Sequence, residues 1–385
     1  MKKVKLGEVC EIKSGGTPSR ANMEYWNDGN IPWVKISDIK EKYLRKTEEF
    51  ITQQGLENSS AKIFKKRTII YTIFATLGEV AILDIEASTN QAIAGLQIID
   101  KNVYQDYLYY FLISLKGKVN DIGRGVAQNN INLSILKNFE IPLPNLGEQK
   151  EIADRLDKVS SLIEKRKTQL KKLDELIKSH FIEMFTPFLS QQKTLLDSLC
   201  ETITKGTTPT TLGFDFIDNG INFIKIENIS ANEKIDTTNM LHISEECNIK
   251  LKRSILKEND ILFSIAGTKM GITAKVTRDV LPANTNQALA IIRLKKEDRM
   301  NVDFLIELLH SDMIIEQIES MKSTVAQTNL SLDNIKNFKV IVPPISLQNE
   351  FAEFVKLIDK SKLGIQKSID KLETLKKSLM QQYFG

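Results

Sequence analysis

The chain is one unit written twice, and that constrains its fold more than any other feature. Residues 126–144 read VAQNNINLSILKNFEIPLP and residues 325–343 read VAQTNLSLDNIKNFKVIVP, nine of nineteen positions being identical at a constant offset of 199. The same offset carries KLDELIKSHFIEMF (172–185) onto KLETLKKSLMQQYF (371–384). CEIKSGGTP (10–18) matches CETITKGTTP (200–209), IPWVKISDI (31–39) matches INFIKIENI (221–229), and TNQAIAGLQII (89–99) matches TNQALAIIRLK (285–295). A period this long excludes a solenoid or propeller and indicates a duplicated domain with an appended helix. For 385 residues this agrees with the ordinary size of two domains.

Each unit opens with short apolar runs punctuated by Gly, Asn, Thr and Pro. Strand-like stretches are Ile31–Ile36, Thr68–Phe74, Glu79–Leu83 and Ala94–Ile99; helical patterns cover Gln105–Leu115 and Val302–Ser311. From Glu148 to Phe185 there is no Pro and no Gly. There Ile152, Leu156, Val159, Ile163, Leu170, Leu173 and Ile177 recur at steps of four and three, interrupted at Arg166 and His180. The second copy repeats the seam with Phe351, Val355, Ile358, Ile365, Ile369, Leu372, Leu379 and Tyr383, interrupted at Lys362 and Lys376. Such heptads predict coiled-coil helices of about 57 Å each. Asn145 and Glu148 resemble a capping box, and Thr186-Pro187 predicts the first helix's end.

Parallel pairing would require the nine residues 186–194, with a reach of about 30 Å, to return along the whole helix. The expectation is therefore α+β (mixed α/β) modules in tandem with two long antiparallel helices. The boundaries are 1–145 for the first module, 146–186 for the central helical spacer, 187–345 for the second module and 346–385 for the C-terminal helical spacer. Modules at opposite ends of such a pair would be related by a pseudo-two-fold axis.

The basic start MKKVKLGEVC carries no apolar segment of a secretory signal, and no apolar run approaches the roughly 20 residues of a membrane span. Three cysteines, Cys10, Cys200 and Cys247, form no CxxC and no framework, so a reduced, cytoplasmic setting without a membrane is expected. A net charge of +4 permits a nucleic-acid partner without demanding one.

The ordered set resembles the specificity (S) subunit of type I restriction-modification systems. It comprises the GGTPS loop (Gly15–Ser19), IPWVKISDI, the TNQA element, and VAQxNxxLxxxKNFxIPLP-x-x-EQ running into a long helix. In the second copy Glu148-Gln149 becomes Leu347-Gln348, and the TPS of the loop becomes Thr208-Pro209-Thr210. The resemblance implies that each module is a target-recognition domain reading one half of a split site in double-stranded DNA. It implies helices that dock two methyltransferase (M) subunits, and restriction/translocase (R) subunits in the complex. It also implies that S-adenosylmethionine, ATP and magnesium belong to those partners, with no cofactor and no catalytic residue in this chain.

The residues contain little chemistry of their own. Val342-Pro343-Pro344-Ile345 lacks the polar first and aromatic last residue of an amino-methyltransferase loop and reads as a strand terminator. There is no GxGxxG and no phosphate-cradling P-loop. Glu11-Ile12-Lys13 is an isolated spacing, and the histidines His180, His242 and His310 are scattered, so no metal site is expected.

DNA contacts are expected from loops. Lys13, Ser14, Gly16 and Thr17, repeated as Lys205, Thr207 and Thr208 around Gly206, offer a cation, hydroxyls and close backbone approach to phosphates, or else form a plain turn. Asn90 and Gln91, with Asn286 and Gln287, carry amides able to read adenine or, alternatively, to cap backbone. Lys35 and Lys225 occupy matched positions after a strand. Thr76, Gly78, Gly267, Thr268 and Lys269 form further loops, and Arg124, Gln128 and Gln327 face either DNA or a partner. Residues shared by both copies suit scaffold or phosphate roles; different half-sites need different readers, which places base reading in 20–30 (from Arg20), 40–66, 210–219 and 232–253. The competing reading is a structural adaptor that holds two modules on a coiled coil and touches no DNA.

One outcome follows from the missing loops: the purified chain alone transfers no methyl group from S-adenosylmethionine to DNA, which a radiolabel-transfer assay checks.

Overall fold

The computed structural model describes residues 2–124, 130–230, 233–267, 269–295, 299–324 and 329–385. It divides into two compact units, Met1–Thr168 with Ile365–Gly385, and Gln169–Gly364.

In the first unit a five-stranded sheet has the order Tyr43–Leu44, Val80–Leu83, Ile69–Thr72, Ile93–Ile98, Cys10–Ser14. Ile69–Thr72 and Val80–Leu83 are buried at every residue, because both sheet faces are covered. Ile69, Tyr71, Val80 and Ile82 point to one side and pack with Tyr107, Leu108, Phe111 and Leu112 of the helix Gln105–Ser114. Ile70, Ala81, Leu83 and Ile93 point to the other and meet Val34, Phe64 and Ala87. Those residues come from a four-stranded sheet ordered Glu49–Ile51, Ile31–Val34, Ala87–Thr89, Ile63–Phe64. A continuous apolar run is what a strand needs when its alternating side chains are buried on both faces.

The second unit repeats the plan. Cys200–Lys205, Leu289–Leu294, Ile261–Ser264 and Thr273–Lys275 form one sheet; Leu241–Ile243, Ile221–Ile224 and Ala283–Thr285 form the other. Ile261, Phe263 and Ile292 pack on Phe304, Leu305 and Leu308 of the helix Val302–Leu309, while Leu262, Leu289 and Ile291 meet Ile224 and Ala283. The sequence-based strands and helices are recovered to within two residues at each end.

The long helices are Leu146–Leu189 and Ile345–Phe384. The expected stop at Thr186-Pro187 is corrected: the first helix runs through Pro187 to Leu189. Proline this close to the end sacrifices a single backbone bond, and Phe185, which is fully buried, holds the last turns against Phe304 and Phe351 at 4.9 and 5.4 Å. At the other end Asn145 caps as expected, its Oδ1 accepting from the Glu148 N–H at 3.0 Å.

Every expected seam residue is buried or half-buried, His180 among them, its ring 4.3 Å from that of Phe354. Within the first unit Arg155 donates to the Tyr383 hydroxyl at 3.3 Å and Lys167 pairs with Glu373 at 3.9 Å; within the second, Lys362 pairs with Asp174 at 2.7 Å. Early residues of one helix thus face late residues of the other in each unit, so the segments run antiparallel. The helices are not a separate spacer, however. Ala153 and Leu156 belong to the first module's core, and Phe351 and Val355 to that of the second. Each compact unit therefore takes half of each helix, unlike the four-part division 1–145, 146–186, 187–345 and 346–385.

A buried glutamine makes that junction. Gln149 is fully buried. Its Oε1 accepts from the Tyr104 N–H at 2.8 Å, and its Nε2 donates to the carbonyls of Asn102 and Pro144, both at 2.8 Å. Gln348 does the same with Asn301 N–H (2.9 Å) and the carbonyls of Arg299 (3.0 Å) and Pro343 (2.7 Å). Gln149→Ala strands one buried carbonyl together with a part-buried N–H and carbonyl, so it should lower unfolding stability by about 2–4 kcal/mol. Urea denaturation checks this, and Gln348→Ala should match it in the second unit.

Candidate nucleic-acid interface

The glycine loop and the TNQ element prove to be one structure. The Gly15 N–H donates to the Ile93 carbonyl at 3.0 Å and the Gly16 N–H to that of Thr89 at 2.9 Å. A Cβ on Gly15 would lie 2.1 Å from Thr89 Oγ1, and one on Gly16 2.3 Å from the Ser60 carbonyl carbon. In the second unit the Gly206 N–H donates to the Asn286 carbonyl at 3.1 Å, and a Cβ there would lie 1.7 Å from the Thr285 oxygen. The glycines exist to let two backbones touch. Their amides are used internally, which corrects the expectation that Gly16 presents its backbone to a phosphate.

Asn90 and Asn286 take the capping alternative: each half-buried side chain accepts from the N–H two residues on, Ala92 or Ala288, at 3.1 Å. Gln91 and Gln287 are exposed, and their side-chain oxygens accept from the hydroxyls of Thr17 and Thr208. Being exposed, and engaged through their oxygens alone in this lock, the glutamines rather than the asparagines suit contact with a base edge.

One strand residue extends this edge. The Ile73 N–H donates to the Ala92 carbonyl at 2.8 Å, while its carbonyl accepts from the Ile131 N–H at 3.0 Å. Ile265 repeats both bonds with Ala288 (3.0 Å) and Leu330 (2.9 Å). The glycine loop, TNQ turn, strand end and the segment after VAQ are thereby contiguous in each module. Gly78 and Gly267, at φ +84° and +74°, turn the hairpins next to that strand end, with Thr76 accepting from the Thr72 hydroxyl and Lys269 exposed. Gln128, Thr268 and Gln327 lie outside the described residues, as does the side chain of Arg124.

The cations differ in their availability. Lys13 is exposed but pairs with Glu11 at 2.6 Å, and Lys205 is half-buried at the end of its strand, in the register position that Ser14 holds in the first module. Thr207 accepts from Arg253 at 3.4 Å, a divergent-segment arginine reaching the shared loop. Arg20 pairs with Glu49 at 2.5 Å, and Lys35 pairs with Glu48 and Glu49 at 3.0 Å each. Hydrogen bonds to Glu49 and then Glu48 raise Lys35 above the usual lysine value. Partial burial raises the Glu49 carboxyl, but its bonds from Lys35 and Arg20 outweigh that and hold it low. The Lys225 ammonium lies 5.0 Å from the Phe216 ring, and among the described residues it pairs with no carboxylate.

Sequence reasoning missed two part-buried clusters of ionisable side chains that join the loops after these strands to helices. In the first unit Lys42 bridges Asp106 (2.8 Å) and Asp157 (2.6 Å), the latter on the long helix. In the second, Glu233 sits 3.3 Å from His310; burial and the nearby Glu307 push its carboxyl up to about 8, and burial pushes His310 down to about 4. Both depend on residues distant in sequence, so no local spacing announces them. Cys10 and Cys200 are buried, each thiol pushed up to about 12 by desolvation, as inert core residues. Among the described residues no group of His, Cys, Asp and Glu is arranged to hold a metal, and no helix is long and apolar enough to cross a membrane.

Comparison with known proteins places this geometry. The family model described as the type I restriction modification DNA specificity domain matches residues 1–174 and again 192–376. The MjaIX specificity subunit of Methanocaldococcus jannaschii is 28% identical over 98% of this chain and 90% of its own length. The Escherichia coli EcoBI specificity subunit is 23% identical over 77% of this chain and 69% of its own. Among solved structures, the type I restriction-modification S subunit of M. genitalium superposes with a TM-score of 0.55 at 18% identity, covering 100% of this chain and 96% of that one. A chain from a study of complex assembly and conformational transition in a type I system gives 0.58 at 18% identity, covering 100% and 97%. At that identity the likeness concerns the fold.

Lys13→Glu sets a second carboxylate beside Glu11 and should weaken DNA binding several-fold for all sequences alike, lowering the salt slope by about one without altering the site. Lys205→Glu should do the same, and salt titrations on cognate and scrambled duplexes distinguish uniform loss from lost specificity.

Proposed function

We propose a function from the premise that this chain belongs to the type I restriction-modification DNA specificity family. It recognises a two-part DNA sequence, one half through each module, and carries that recognition to methyltransferase subunits docked on its helices. Restriction subunits join the same complex. The chemistry resides in those partners, which supply the S-adenosylmethionine, ATP and magnesium sites; this chain is non-catalytic and works in the cytoplasm.

The observation that supports this best is the pairing of an invariant scaffold with divergent surroundings. The asparagine cap and the threonine–glutamine bond of the TNQ element repeat in the two modules, and a loop glycine donates to the TNQ backbone in each, Gly16 to Thr89 and Gly206 to Asn286. The polar contacts around it do not repeat: Arg20 pairs with Glu49 in one, and Arg253 reaches Thr207 in the other, while the matched Lys35 and Lys225 meet Glu48 and Glu49 in the first and the Phe216 ring in the second. Two copies of one frame carrying different polar groups suit two different half-sites. A structural adaptor would have no need for different chemistry at matched positions.

A modest net charge of +4, with many cations already ion-paired, supports weak and salt-sensitive binding by the isolated chain, strengthened by partners.

Single-molecule methylome sequencing of a host with and without this gene should show loss of one motif made of two specified parts around an unspecified gap. An unchanged methylome, or a continuous motif, overturns the reading. The helices serve as the ruler of that gap, so removing one heptad from both, residues 167–173 and 365–371, should shorten it while keeping both half-sites. These heptads avoid Leu156 and Val355, which the module cores need.

A further inference from the structure

Beside the glycine loop each module carries the same pair of aromatic rings. Trp26 and Trp33 meet edge to face with centroids 5.0 Å apart, and Phe216 and Phe223 meet at 5.4 Å. The offset is 190 residues for both members, and it also carries Lys35 onto Lys225. The rings are anchored: Trp33 Nε1 donates to the Gly16 carbonyl at 3.0 Å and Trp26 Nε1 to the Ser19 carbonyl at 3.1 Å. The shelf is thus tied to the loop that both modules share.

What lies on the shelf differs. In the first module the Arg20 guanidinium sits 3.6 Å from the Trp26 ring centroid and 4.9 Å from that of Trp33. Its Nη2 donates to Glu49 Oε2 at 2.5 Å, and its side chain remains 55% exposed. In the second module Thr211 stands three residues after Thr208, as Arg20 stands three after Thr17. Leu241 takes the place of Glu49, since Ile51 and Ile243 pair with the matched residues Ile31 and Ile221. The cation over the second shelf is Lys225, a point charge on Phe216.

We infer that Arg20, held over the Trp26 ring and parked on Glu49, reads a guanine in the first module's half-site. This rests on the DNA-recognition function proposed above and names one reading residue within it. A guanidinium can give two parallel N–H donors to guanine O6 and N7, and no other base edge in the major groove offers two acceptors to it. The ring contact holds the fork in place before DNA arrives, which limits the entropy lost on binding. Glu49 sharpens the choice. At guanine, Arg20 exchanges the carboxylate for two base acceptors. At any other base it gives up the carboxylate and is left underbonded, so a wrong base is penalised as well as the right one favoured. Lys35, bonded to Glu49 at 3.0 Å, keeps that carboxylate partnered when Arg20 leaves.

The test uses the chain assembled with its methyltransferase subunit. Arg20→Lys keeps the charge and the ring contact but removes the fork, and Glu49→Gln removes the alternative partner. Arg20→Lys should make one guanine position of one half-site degenerate, with discrimination there falling about tenfold or more, while the other half-site stays intact. Glu49→Gln should keep that guanine and raise affinity for cognate DNA. Arg20→Gln is the second variant should the lysine alter folding. The assignment is overturned if both Arg20 variants leave every motif position intact, weaken all sequences equally, or abolish methylation by an assembled complex. A wild-type complex that methylates no split motif would instead overturn the functional reading.

Discussion

The architecture depends on two buried glutamine side chains. Gln149 and Gln348 each join three backbone groups, two from the loop that precedes a module helix and one from the proline segment that closes the sheet region. A buried amide with every donor and acceptor engaged has one orientation, so it fixes where a long helix leaves its module. The neighbouring residue is free to change, Glu148 in one copy and Leu347 in the other, because it takes no part in the junction. With the exit direction set, Ala153 and Leu156, or Phe351 and Val355, enter the module core and the helix becomes continuous with it. Recognition loops and helices are then parts of one packed body within each unit.

The same economy governs the recognition surface. Glycines that let strand and loop backbones touch, a threonine–glutamine bond and a self-capping asparagine spend the shared residues on holding the frame together. Side chains that project from the frame are left to vary. Their charges are largely balanced in the free protein: Lys13 by Glu11, Arg20 and Lys35 by Glu48 and Glu49, Lys42 by Asp106 and Asp157. A surface of this kind attracts DNA weakly through its net field and gains from contacts that replace one partner by another. That exchange favours specificity over raw affinity.

The duplication, four strands of the first module, one helix in each module, the cap at Asn145 and the antiparallel sense of the long helices were legible in the sequence. Each follows from local patterning or from chain connectivity: alternating burial, heptad spacing, and too few linking residues for a return. So was the family, carried by motifs that recur in order. The helix end was misjudged because Pro187 was read without the aromatic cluster of Phe185, Phe304 and Phe351 that outweighs one lost backbone bond. That the starts of the long helices also pack into the module cores was not legible, because a heptad pattern records which residues are buried but not what buries them.

The sequence by itself determined that two equal modules exist, that each ends in a long amphipathic helix, and that glycine loop and TNQ element matter to both. Only the tertiary structure decided what they matter for. Gly15 and Thr89, or Gly206 and Thr285, lie more than seventy residues apart, and nothing local in either stretch reveals that their backbones touch. The same holds for Arg20 on Trp26 with Glu49, and for Lys42 against Asp157. Periodicity reports on neighbours along one element, whereas a site is made where the folded chain brings separate elements within hydrogen-bonding distance.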